Sequence, residues 1–157
     1  MNESIHNEFR FLMCEHSMTI TTVGEAISFI SPSINVKLSY NERDGFDARI
    51  VFPEYGSQEI SIGTILGSLE KDESMKCSSW IDTMKQEALF IKMNFDKLFN
   101  LPKDLYDDCC KLYFWHTSEW RKLWGTTIRM DTKSISKENA RLIRIHGYFG
   151  SNTNGNA

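Results

Sequence analysis

The sequence has no apolar run approaching the 18 or so residues needed to cross a bilayer. Its first residues, Met1-Asn-Glu-Ser-Ile-His-Asn-Glu8, carry acid where a secretory leader carries base, and no long apolar stretch follows. A cytoplasmic address without membrane contact is the expectation. Chemical motifs are also absent. There is no G-x-G-x-x-G, no G-x-x-x-x-G-K-[ST] and no G-x-S-x-G, so a nucleotide cradle and a hydrolase elbow lack support. The four cysteines, Cys14, Cys77, Cys109 and Cys110, form no C-x-x-C. They read as reduced, mostly buried thiols. Cys14-Glu15-His16 matches no common zinc spacing. No metal and no cofactor is expected.

What is present fits one globular domain: 157 residues, 41% hydrophobic and 25% charged. Its expected extent is 1–149, with 150–157, Gly-Ser-Asn-Thr-Asn-Gly-Asn-Ala, as a disordered tail. The net charge of −3 is unevenly placed. Residues 1–120 hold 11 Lys+Arg against 19 Asp+Glu, while residues 121–157 hold 7 against 2. An acidic body repels phosphate, so tight nucleic-acid binding is not expected, and it favours a basic protein partner.

Hydrophobic period assigns the elements. Ile5, Phe9, Leu12 and His16 share one helical face, with Ser4 as a cap. The period then drops to two. Met18, Ile20 and Thr22 alternate, as do Ile27 and Phe29, with Gly24-Glu25 as a turn between them. Ile34, Val36, Leu38 and Tyr40 alternate strictly, as do Phe46, Ala48, Ile50 and Phe52. Asn41–Gly45 has the length and the Asp-Gly of a hairpin loop. Polar alternation leaves one wet face, which predicts an antiparallel sheet of about four strands over 18–52. Pro53 ends it. Ile60 and Ile62 read as either strand or helix, with a helix favoured from about residue 62.

Ser79-Trp-Ile-Asp82 resembles a capping box. From there Ile81, Met84, Ala88, Ile91, Phe95 and Leu98 extend a stripe begun at Cys77, which predicts one helix over 79–99. Leu89, Phe90 and Met93 fall off that stripe and suggest cover on more than one side, or a contact surface. A second helix over 103–124 puts Leu105, Cys109, Leu112, His116, Trp120 and Leu123 on one face. A short strand at 126–130 and a last helix from Ser136 to His146, stopped by Gly147, complete the reading. The fold class is α+β, an antiparallel sheet from the N-terminal half packed against helices from the C-terminal half.

Several segments together resemble a known group. They are Phe9 and Phe11, then Ile27-Ser-Phe-Ile-Ser-Pro-Ser-Ile-Asn-Val-Lys-Leu-Ser-Tyr-Asn-Glu-Arg-Asp-Gly45, then Trp80 and Lys85-Gln-Glu-Ala-Leu-Phe-Ile-Lys-Met-Asn-Phe-Asp-Lys-Leu-Phe99. The pattern resembles small bacterial immunity proteins that accompany polymorphic or contact-dependent toxins. The resemblance implies a cytoplasmic, non-enzymatic inhibitor that docks on a cognate toxin, often a basic nuclease. It supplies no binding residues.

The residues themselves nominate a partner surface on the 103–124 helix: Asp104, Asp107, Asp108 and Trp115. The acids also complement the helix dipole. Trp115 lies on the polar side, where either another element such as the C-terminal helix covers it or an exposed indole anchors a partner. Two other readings remain open. One is a small enzyme assembled from dispersed His, Cys and Asp residues. The other is a structural or regulatory protein that self-associates through the 77–99 helix.

Overall fold

A computed structural model describes residues 2–42, 45–56, 58–69, 79–113 and 132–150. Two short helices, α1 (Asn2–Phe9) and α2 (Phe11–Cys14), precede a sheet of five strands. These are β1 (Thr19–Val23), β2 (Ala26–Ile30), β3 (Asn35–Asn41), β4 (Gly45–Val51) and β5 (Glu59–Ser61), with a 3-10 turn at Pro53–Tyr55. Then come α3 (Ile62–Leu69), α4 (Trp80–Met93), α5 (Phe95–Phe99), α6 (helical over 103–113) and α7 (Thr132–Gly150).

The sheet is an antiparallel meander in the order β1-β2-β3-β4-β5. Each predicted alternation becomes a strand, and the 34–40 and 46–52 pair forms as expected, with Val36 opposite Ile50 and Leu38 opposite Ala48. The turn Gly24-Glu25 joins β1 to β2 with Val23 opposite Ala26. Gly24 has φ +61, the left-handed conformation that a type II′ hairpin needs at its first position. The sheet has one strand more than expected. Ile60 is in β5 and Ile62 opens α3, so both readings of that segment hold for part of it.

Ile27, Phe29, Val36, Leu38, Phe46, Ala48, Ile50 and Ile60 form the dry face and are buried. Met84, Ala88 and Ile91 of α4 belong to the same core. Helix α1 joins that layer, with the Phe9 ring stacked 6.4 Å from Phe29 and tilted against Phe46 at 5.9 Å. The core continues to Ile145 and Phe149 of α7. Helix α6 packs elsewhere. Tyr106 lies against Phe52 and Tyr55, just past the end of β4. Arg49, on the face opposite Ala48 and Ile50, lies 6.0 Å from the Tyr113 ring.

Several helix boundaries differ from the sequence reading. The first helix already runs from Asn2, so Ser4 lies inside it and is not its cap. Its stripe is divided at Arg10, and His16 lies beyond α2, stacked 3.5 Å from the Phe95 ring. The 79–99 segment is two helices. Asn94 donates its side-chain amide to the Phe90 carbonyl at 3.0 Å and leaves helical geometry. Such back-bonding competes with the helix ladder. The last helix begins at Thr132, before the expected start at Ser136, and Gly147 does not stop it, since it runs on to Gly150. Beyond Gly147, Phe149 packs on Phe90 and Tyr148 exchanges bonds with Lys97, offsetting the roughly 1 kcal/mol cost of a helical glycine. The capping box is present as read, with Asp82 N–H donating to Ser79 Oγ at 3.2 Å. Ile81, placed on the core stripe by period, is exposed. The expected strand at 126–130, the 114–124 part of its helix and residues 151–157 of the expected tail lie outside the described residues.

Candidate partner-binding surface

The nominated acids stand in three different surroundings. Asp104 is exposed, and its carboxylate accepts the Leu105 amide at 2.9 Å. Asp107 pairs with Lys103 at 3.1 Å, one turn back on the same helix. Asp108 is buried and accepts two hydrogen bonds from Arg144, at 2.7 and 3.0 Å, with Arg141 at 3.8 Å. It faces α7 and not solvent. Trp115 lies outside the described residues.

Cys109 and Cys110 are buried free thiols, as expected, while Cys14 is exposed. Desolvation pushes the Cys109 thiol up to about 12, with Cys110 and Asp108 adding to the effect, so it stays protonated and inert. Among the described residues, no group of three or more His, Cys, Asp or Glu could hold a metal ion. No helix among them is long and apolar enough to cross a membrane.

A second polar cluster sits where β5 turns into α3. Arg49 donates to Asp47 at 2.8 Å and to Glu59 at 3.3 Å, and Lys37 donates to Glu59 at 2.7 Å. Ser61 donates to Asp47 at 2.8 Å and accepts the Thr64 amide at 3.2 Å, which caps α3. Beside it lies Glu87 of α4, only 1% exposed, accepting the Ala48 amide at 2.7 Å. The register explains that bond. Ser61 stands opposite Arg49, so Ile62 would stand opposite Ala48 if β5 continued. Ile62 starts a helix instead, and the Glu87 carboxyl replaces the missing strand as acceptor. Desolvation, with Asp47 nearby, pushes the Glu87 carboxyl up to about 9, so it is held neutral. Its spacing carried the signal. Glu87 stands three residues after Met84 and four before Ile91, so it falls on the buried side of α4.

Among the described residues, α4 also presents large apolar side chains to solvent. Phe90 is covered by Phe149, but Leu89 and Met93 are 57% and 66% exposed. They are one turn apart and therefore adjacent on the helix. A groove of about 470 Å³ runs beside Leu89, between α4 and the N-terminal helices. Glu8, Arg10, Glu15, Lys85 and Lys92 supply its charge, and Phe11 and Ala88 its apolar wall. Lys92 and Glu15 approach to 3.8 Å across it. The arrangement is an apolar ridge with mixed charges around it, which suits protein recognition better than a small anion or cation.

No family model matches the chain, and neither a curated protein nor a solved structure does.

Proposed function

We propose that the chain is an immunity-type protein that binds and neutralises a cognate bacterial toxin domain by protein–protein contact. The observation that carries this reading is the Leu89–Met93 pair. Two large apolar side chains stand in water on a helix whose opposite side is core. A partner pocket that covers them gains their desolvation, and the charged groove beside them gives that contact its direction. The excess of acid over residues 1–120 steers a basic domain toward this body. The toxin class of the partner comes from the sequence resemblance.

The test is co-expression with a toxin encoded beside this chain. Relief of growth inhibition, together with co-purification of the pair, is the expected result. Leu89→Asp combined with Met93→Asp should abolish both while leaving the melting temperature unchanged. Protection by the double variant equal to the native chain's would remove this surface from the account. No relief by the native chain would remove the toxin reading altogether.

A further inference from the structure

Among the described residues the sheet has two edges, β1 and β5, and they differ. β5 is three residues long, carries Glu59 and runs directly into α3, so it offers little to pair with. β1, Thr19-Ile-Thr-Thr-Val23, is five residues long and has no charge, no proline and no glycine. Proteins commonly protect edges with such residues. Its partner β2, Ala26-Ile-Ser-Phe-Ile30, is uncharged too. On the face away from the core the hairpin exposes Thr19, Thr21, Val23, Ala26 and Ile30, with Val23 at 78% and Ile30 at 40%.

The outer backbone groups of β1 can be identified. A two-residue hairpin closes by exchanging both backbone bonds between its flanking residues, here Val23 and Ala26. Thr19, Thr21 and Val23 therefore bond inward to β2. The amides and carbonyls of Ile20 and Thr22 point outward, and no backbone bond to them is present among the described residues.

We propose that this edge pairs with β1 of a second copy of the chain, antiparallel about Thr21, to make one ten-stranded sheet. The register follows from the pleat. Ile20 stands opposite Phe29 and so belongs to the core face, and even-numbered residues must meet even-numbered ones to keep the two cores on the same side. Pairing about Thr21 sets Ile20 against Thr22 of the second copy, and the reverse, so the outward groups make four hydrogen bonds. Thr19 meets Val23 of the copy, which aligns Ala26, Val23, and the copy's Thr19 and Ile30 in one row across four strands. A two-fold axis brings each residue near it against its own copy, so any charge would repel itself. β1 and β2 carry none. Five-residue strands bury less than a standard interface, which puts the contact in the weak class, so the range to examine is roughly 10–1,000 µM chain.

Sedimentation and light scattering across that range test the proposal, because the average mass should rise from 18.2 kDa toward twice that value. Hydrogen exchange at the Ile20 and Thr22 amides should slow at least several-fold as concentration rises, while exposed loop amides stay unchanged. Thr21→Lys and Thr21→Glu should each be monomeric, since each sets like charges together on the axis. Mixed one to one they should associate again, because Lys then faces Glu. This rescue also excludes misfolding as the cause of the monomeric state. A native chain that stays monomeric throughout the range overturns the proposal. So do single variants that associate as well as the native chain, or a mixture that fails to associate while both variants keep the native melting temperature. Loss of toxin affinity in Thr21→Lys with a monomeric native chain would assign the edge to the toxin and overturn self-pairing.

Discussion

Asp108 and Arg144, 36 residues apart in sequence, are joined by two hydrogen bonds of 2.7 and 3.0 Å. The pair ties α6 to α7, and Arg141 adds a longer contact at 3.8 Å. A buried carboxylate must be matched by a cation, and this one is. Asp108→Asn should therefore loosen α7. Faster amide exchange over 140–150, with the sheet amides unchanged, is the expected measurement. Exchange accelerated equally over the whole chain would mean that α7 does not open separately.

Glu87 makes stability depend on pH in an unusual direction for an acid. Its folded pKa of about 9 lies above the value of an unfolded glutamate, so the folded state holds the proton more tightly. Its contribution is complete below about pH 4 and is lost as pH rises toward about 9, with a limiting slope of about 1.4 kcal/mol per pH unit. Glu87→Gln keeps an oxygen for the Ala48 amide and cannot ionise. Its stability relative to the native chain should improve steadily from pH 5 to pH 9 in urea titrations. A difference independent of pH would show that Glu87 ionises normally.

Gly63 leaves room for that carboxyl. A Cβ at this position would sit 2.8 Å from Glu87 Oε1, whose other oxygen is held by Ala48. Gly63→Ala should displace the carboxyl and cost about 1–3 kcal/mol through the orphaned amide. In a Glu87→Ala background, where that bond is already lost, the same change should cost less. Additive losses in the double-mutant cycle would separate the two sites.

Phe95 is buried against His16 and Phe99, with ring centroids at 3.5 and 6.1 Å. Phe95→Ala should destabilise the fold by about 3–5 kcal/mol. An unchanged urea midpoint would place Phe95 outside the core.

Much of the architecture was legible because it depends on neighbours in sequence. The alternation of Val36, Leu38 and Tyr40 sets faces by a period of two, and the partner run Phe46–Ile50 has the same period, so one register buries both. Gly24-Glu25 and the Ser79–Asp82 box are complete local signals. Leu89 and Met93 were recognisable because they fall off the apolar stripe of their own helix.

The sequence by itself determined the α+β class, the hairpins and the side of α4 that meets the sheet. Only the tertiary structure decided what its charged residues do. Asp104, Asp107 and Asp108 look alike along the chain, yet Asp108 alone meets Arg144 on α7. Spacing puts Glu87 on the buried side of α4, but its partner is decided only where β5 ends one residue short and leaves the Ala48 amide without a strand. Period and propensity act within a few residues. The protonation and pairing of a carboxyl depend on which distant donors reach it and how much water is excluded around it.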